Sequence, residues 1–278
     1  MKKLGSPQEE TGGEMSFLDH LEELRWHLIR ATLAVLIAAT AAFLLKSFIF
    51  DTLLFGPAHA DFFSYEVLCH ISRFFGLEGG FCDQEMPFRI QSRTMGGQFS
   101  AHIWTSITAG FIIAFPFVIY EFWKFVAPAM HTHEKKYARG FIFITSLLFF
   151  IGVLFGYYIV TPLSINFLGK YQVSQTVFND FDLSSYISLV RASVLASGLI
   201  FELPIVIYFL SKVGIISSGF LKKYRKYALV LVLIVSAIIT PPDIVSQIIV
   251  AIPVLVLYEV SIFIARIIEK QQREELKN

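Results

Sequence analysis

Charged residues are scarce in this chain, and their scarcity excludes most soluble folds. Of its 278 residues only 16% are Asp, Glu, Lys or Arg, whereas 55% are hydrophobic and 29 are Phe. The mean hydropathy is +0.63, and a soluble domain carries about 25% charged residues. The composition therefore predicts a polytopic membrane protein. Its net charge of +1 gives no indication of a nucleic-acid partner.

Enzyme and metal signatures are also absent from the sequence. It contains no HExxH, no GxSxG and no GxxxxGK[ST] motif, which would mark a zinc protease, a serine hydrolase or a phosphate-binding loop. The two cysteines have no close pair of histidines, so the usual zinc spacing is missing. We therefore expect no catalytic centre, no metal and no cofactor.

Long apolar runs predict six transmembrane helices, since a spanning helix needs ~20 mostly apolar residues. Four runs qualify without difficulty, at about 24–48, 99–120, 138–160 and 185–210. Two further helices are expected at 228–239 and 244–264, on either side of Pro241 and Pro242, because proline cannot continue a helix. Even when extended back to residue 224, the first of the two reaches ~24 Å, less than the ~30 Å hydrocarbon core.

Lys and Arg residues predict how these helices are oriented. Seventeen of the 23 lie in the N-terminal segment, the loops after helices 2 and 4, and the C-terminal segment. Such residues favour the cytoplasmic side, so both termini are predicted to be cytoplasmic. No apolar segment follows the basic start MKK, so a signal peptide is not expected. We expect residues 1–15 to be a disordered tail, 16–268 the membrane domain and 269–278 a C-terminal tail.

The longest loop, about residues 49–98, is predicted to lie on the outer side and contains both cysteines. An oxidising compartment permits a disulfide between Cys69 and Cys82. Two unpaired thiols in a flexible loop are the alternative.

Two carboxylates lie at predicted cytoplasmic helix ends. Glu23 occurs in LDHLEELRWHL, on the polar side of a helix start, and Glu134 opens the third helix in HTHEKK. A solvated helix start with His27 as partner would explain Glu23, and the helix macrodipole would explain Glu134. Alternatively, the two acids suit a receptor for a cationic ligand, because a carboxylate accepts two parallel hydrogen bonds from a guanidinium.

A third carboxylate, Glu202 in GLIFELPIVIYFL, lies about eight residues from the cytoplasmic end of helix 4. An ionised carboxylate at that depth is costly, and intramembrane ionisable residues are functional by default. Pro204 is expected to loosen the helix there. Arg191 lies eleven residues earlier, ~16 Å along the helix. We expect it to extend toward the outer interface rather than to pair with Glu202.

Polar and small residues also suggest helix contacts. In TPPDIVSQ, Asp243 is expected to cap the last helix, while Thr240 and Gln247 are further polar groups at the turn. Gln247 would face lipid, helix 5 or a partner helix. Gly152 and Gly156 form a GxxxG pattern in helix 3, which in a multi-span protein more often serves internal packing than dimerisation.

Four stretches together resemble the TatC family, the multispanning core of the twin-arginine protein translocase. They are HLEELR, FVAPAMHTHEKK, FELP, and TPPDIVSQ with a following AIP, and the resemblance runs from about residue 16 to 268. The resemblance implies a concave, glove-like arrangement of six helices in which helices 5 and 6 are short.

The resemblance also implies a function. Family members in the bacterial inner membrane use cytoplasmic carboxylates to bind the paired arginines of signal peptides on folded cargo. Those carboxylates fall on Glu23, with Arg25 following, and on Glu134, while Phe125 lies close to the signal-binding surface. Energy would come from the proton gradient, since the chain has no nucleotide site.

Three more positions carry implied roles. The family's intramembrane glutamate matches Glu202. Its polar cluster for docking the single-span TatA and TatB subunits matches Thr240 and Gln247, and further copies of the chain are expected in the complex. The alternative from another class is a proton-coupled transporter with Glu202 as proton carrier. Such folds often show repeated halves with interrupted helices, and FELP has no counterpart in helix 1 or 2.

Overall fold

A computed structural model describes residues 17–74, 82, 88–126, 138–174, 176–177 and 179–275. Within these ranges the chain is almost entirely helical. The helices are α1 Phe17–Leu44, α2 Phe63–Phe74, α3 Gly97–Val126, α4 Ala138–Phe155, α5 Thr161–Lys170, α6 Leu183–Phe201, α7 Leu203–Lys212, α8 Ser218–Lys223, α9 Arg225–Ile239 and α10 Ile244–Glu275. A π-helical turn, Gly156–Val160, joins α4 to α5, and a second one, Phe48–Leu54, follows α1.

Five helical segments in the described part of the chain are long and apolar enough to cross a membrane. They are Leu21–Leu44, Gly97–Val126, Gly140–Lys170, Leu183–Lys212 and Ile244–Glu274. The sixth predicted segment is also helical, but α9 has only 15 residues. At 1.5 Å per residue it is ~22 Å long, shorter than the ~30 Å hydrocarbon core. Its place as a sixth span therefore stays a prediction.

The expectation that the last helix is short is wrong. α10 runs for 32 residues, with Pro253 inside it. Its apolar part is followed by charged residues that continue the helix, including Lys270 and Glu274, which form an i,i+4 ion pair at 3.8 Å. Such pairs stabilise a helix in water. The helix also continues through residues 269–275, which the sequence assigned to a tail.

The GxxxG pattern brings α4 against α6. A Cβ added to Gly152 would lie 2.6 Å from the carbonyl oxygen of Ser197, and one added to Gly156 would lie 2.6 Å from that of Ser193. Only glycine allows the two backbones to approach this closely. The predicted internal packing is therefore confirmed.

The bundle is closed at one end by the segment between α1 and α3. The phenol of Tyr65 on α2 donates to the carbonyl of Pro57 at 2.8 Å, and that of Tyr186 on α6 donates to Leu54 at 2.8 Å. Burial raises the pKa of Tyr65 far above its usual range, so this phenol stays a donor. Cys69 and Cys82 are joined by a disulfide, with 4.8 Å between their Cα atoms.

A short parallel sheet ties this segment to the start of α6. Strand β1, Phe88–Gln91, pairs with β2, Asn179–Asp182, with Phe88 opposite Asn179. Asp182 then caps α6 by accepting from the backbone N–H of Ser184 at 3.1 Å. The disulfide, the sheet and the N-termini of α3 and α6 thus lie at the same end of the bundle.

Candidate functional site

The other end of the bundle holds a buried carboxylate surrounded by three basic side chains. Glu121, near the C-terminus of α3, is only 3% exposed. His27 of α1 contacts it with 2.6 Å between Nδ1 and Oε2. The side-chain nitrogens of Arg30 and Lys124 lie 4.0 and 3.9 Å from its oxygens. Burying a carboxylate without such partners is costly, so the cluster fastens α1 to α3.

Phe125 and Glu23 lie beside this cluster. Phe125 is one helical turn beyond Glu121, and its ring packs edge-on against His27 with 6.4 Å between centroids. Glu23 is one turn before His27 on α1, so the two share a helix face. Glu23 is exposed, and among the described side chains none forms an ion pair or hydrogen bond with it. The predicted pairing of His27 with Glu23 is replaced by its contact with Glu121.

The remaining predicted positions of this site lie apart. Arg25 is exposed and follows Glu23 by two residues, which places it about 200° around the helix, away from His27. Glu134 lies outside the described residues, eight positions beyond the last residue of α3. The structure therefore places Phe125 against His27, with Glu23 one helical turn before His27 on α1 and Arg25 on another face.

Glu121 was missed from the sequence because the second helix was expected to end at residue 120. In the structure α3 continues to Val126. Trp123 holds this last turn in place, because it is buried against the ring of Phe141 on α4, 4.5 Å between centroids. The sequence feature that could have identified Glu121 is its place as the one acid within the aromatic run FVIYEFWKF, because a charge in such a run requires a partner on a neighbouring helix.

Glu202 lies at a break between two helices. α6 ends at Phe201 and α7 begins at Leu203, with Pro204 in its first turn, so the proline interrupts the span where it was expected to loosen it. The side chain is 8% exposed. Neither carboxylate oxygen has a well-formed hydrogen bond within the described ranges, although the backbone of Phe149 on α4 lies close to it. A carboxyl group buried at such a break can accept a hydrogen bond from a donor that reaches it.

The turn between α9 and α10 uses its polar groups internally. The Asp243 carboxylate accepts from the backbone N–H and the hydroxyl of Ser246 at 2.8 and 2.7 Å, which caps α10. Gln247 donates to the carbonyl of Leu233 on α9 at 2.9 Å. Thr240 is 4% exposed and donates to the carbonyl of Ser236 at 2.8 Å. Gln247 was expected to face lipid, the fifth predicted helix or a partner helix. The structure shows that it contacts the fifth predicted helix, which is α9.

No group of three or more His, Cys, Asp or Glu side chains in the described ranges could hold a metal ion.

Helices of this length and hydropathy, with ionisable groups gathered at their ends, define a multi-span membrane protein. A family model described as "Sec-independent protein translocase protein (TatC)" matches residues 19–253. The chain therefore belongs to the TatC family and is a component of the Tat protein-transport pathway.

Two relatives and two solved structures show how closely the chain follows this family. It is 45% identical to the TatC protein of Blattabacterium sp. subsp. Periplaneta americana over 93% of this chain and 98% of that protein. It is 35% identical to the TatC protein of Aquifex aeolicus over 94% of this chain and 98% of that protein. Two crystal structures titled as the twin arginine translocase receptor TatC match with TM-scores of 0.64 and 0.67, at 33% and 34% identity. They cover 90% and 88% of this chain, and 99% of their own chains.

Proposed function

We propose that this protein is the signal-peptide receptor of a twin-arginine translocase, and that it exports folded proteins across a bacterial inner membrane. The observation that carries the proposal is Glu23, an exposed carboxylate without an ion-pair partner among the described side chains. It lies one helical turn before His27 on α1, and the His27 ring contacts Phe125. With both termini in the cytoplasm, this surface faces the compartment that supplies the precursors.

The buried cluster supports this role by positioning the receptor surface. Glu121 is already surrounded by His27, Arg30 and Lys124. These partners compensate the charge of Glu121, so Glu121 does not bind an incoming guanidinium. The cluster instead fixes α1 against α3, which holds Glu23 and Phe125 at a set distance. Glu134, in the segment after α3, supplies the second carboxylate of the clamp.

Two carboxylates match two arginines in number and chemistry. Each charge-assisted contact contributes ~1.5–3 kcal/mol, which supports only modest affinity. The apolar segment of the signal adds burial by lying along the bundle toward Glu202. Glu202, buried at the helix break, is the group through which we propose that the proton gradient acts.

Single-span TatA and TatB subunits are proposed to dock on α9. Its outer faces carry the exposed apolar side chains Leu229, Val230, Leu231, Ile234 and Ile238. Gln247 then acts by holding α10 against α9 and Thr240 by closing the C-terminus of α9, rather than by direct contact, since their hydrogen bonds are internal. Further copies of this chain complete the complex.

Export of a reporter with a twin-arginine signal tests the receptor role. Glu23→Gln and Glu134→Gln keep the side-chain size but remove the charge, so each is expected to reduce export at least ten-fold, because a charge-assisted contact contributes ~1.5–3 kcal/mol. Glu22→Gln is the matched control, since Glu22 is equally exposed but lies about 100° away on the helix. Full export by Glu23→Gln would overturn the clamp. A proton-coupled transporter would instead lose solute flux in Glu202→Gln and be indifferent to both signal-site variants.

A further inference from the structure

Two grooves flank the first turns of α6, at the end of the bundle that carries the disulfide. The larger has a volume of about 650 Å³, and in it Ser184, Ser185, Ser188 and Arg191 of α6 face Ile238 and Ile239 of α9. The smaller, of about 430 Å³, lies on the α3 side and is lined by Thr94, Ser100 and Trp104 together with Ser184 and Arg191. Arg191 is therefore shared by both grooves.

The Arg191 side chain is unpaired within the part of the chain that the structure describes. Among the described residues no carboxylate lies within ion-pair distance of its guanidinium, and its Nε is shielded from solvent without a hydrogen bond. The nearest acid in sequence, Asp182, is bonded to Ser184 and to the backbone N–H of Arg93. A guanidinium inside a membrane span is costly unless something compensates its charge. The described side chains thus leave the charge of Arg191 to be compensated by a ligand.

Serine hydroxyls lead from Arg191 to the end of the helix. Ser184, Ser188 and Arg191 recur at i, i+4 and i+7, so they lie on one face of α6. Ser184, Ser185 and Ser188 are exposed, whereas Ser193 and Ser197 of the same helix are buried. Arg191 lies eight residues from the first residue of α6, ~12 Å below the helix end. The Ser184 hydroxyl donates to Asp182. The side chains of this face that can donate to a ligand are therefore Ser188 and Arg191, and the flexible Arg191 side chain can extend toward the interface.

The ligand that this arrangement fits is a compact, multiply accepting anion. Guanidinium and hydroxyl groups all donate hydrogen bonds, and a phosphate accepts them through several oxygens. Apolar groove walls, Ile238 and Ile239 on one side and Trp104 on the other, suit acyl chains below such a group. We propose that Arg191 binds the phosphate of an anionic phospholipid headgroup in the leaflet on the disulfide side.

Lipid binding to the purified, delipidated full-length protein tests this site by native mass spectrometry. The probes are phosphatidylglycerol, diacylglycerol with the same acyl chains, and inorganic phosphate as competitor. Arg191→Gln is expected to weaken phosphatidylglycerol binding about ten-fold, as for one charge-assisted contact. Arg73→Gln is the control, since Arg73 is an exposed arginine on α2 of the same end, and it should change binding less than two-fold.

The outcomes separate the sources of the anion. Tight binding of phosphatidylglycerol that millimolar phosphate does not displace identifies a lipid, whereas displacement identifies a site for soluble phosphate of the same chemistry. Equal binding of diacylglycerol, or equal effects of Arg191→Gln and Arg73→Gln, would overturn the proposal. If Arg191→Gln does not fold, Arg191→Lys and Ser188→Ala should each weaken binding, and unchanged binding in both would overturn it as well.

Discussion

Replacing Gly152 by alanine tests the packing that places Glu202 inside the bundle. The new Cβ would lie 2.6 Å from the carbonyl oxygen of Ser197 and 2.8 Å from the Cα of Gly198. Both are backbone atoms, so α4 and α6 have to separate. Overpacking of this kind costs about 1–3 kcal/mol, and the higher helix propensity of alanine offsets up to about 1 kcal/mol. We expect Gly152→Ala to lower the free energy of unfolding by about 1–2 kcal/mol.

The same helix offers the control. Gly140, two positions after the first residue of α4, has open space where its Cβ would be, so Gly140→Ala should leave stability unchanged or raise it by up to about 1 kcal/mol. Unfolding in mixed micelles with increasing dodecyl sulfate, followed by circular dichroism, measures both variants. If Gly152→Ala were as stable as Gly140→Ala, the close contact between α4 and α6 would be refuted.

Two further predictions concern the ends of the bundle. Glu121→Ala is expected to lower the free energy of unfolding by about 1.5–3 kcal/mol, mainly because the contact with His27 is lost. Arg30 and Lys124 contribute little, since their side chains are 55% and 43% exposed. Unchanged stability of this variant in the same micelle assay would contradict the prediction. The hydrogen bond from Ser184 lowers the pKa of the Asp182 carboxyl. The ionised carboxylate therefore stabilises the fold at neutral pH. This stabilisation is lost as the pH falls from the ordinary pKa of an aspartate, ~3.9, to the lowered pKa of Asp182. Asp182→Asn should flatten that acid dependence, and an unchanged pH profile would contradict the cap.

Much of the fold could be predicted from the sequence because its signals are local. Apolar runs located the spanning helices, and Pro241 and Pro242 located the turn between the last two. The pattern at Gly152 and Gly156 predicted a helix contact without its partner. The length of α10 was not predicted, because its apolar run ends near the membrane surface while charged residues continue the helix.

The candidate site was predicted only in part, because its contacts join residues far apart in the chain. His27 and Glu121 are separated by 94 positions, and no local pattern pairs them. Similarly, β1 and β2 pair 91 positions apart, although neither strand has a strong sequence signal. Gln247 had three possible surroundings from sequence, and only the position of α9 selects one of them.

Photo-cross-linking from position 125 tests most directly whether this surface receives signal peptides. Benzoyl-phenylalanine in place of Phe125 retains an aromatic ring beside His27, which lies one helical turn from Glu23 on α1. We predict that it captures a precursor carrying Arg-Arg, that a Lys-Lys precursor is captured far less, and that Glu23→Gln reduces capture of the first. Equal capture of both precursors, or of neither, would contradict the proposed receptor.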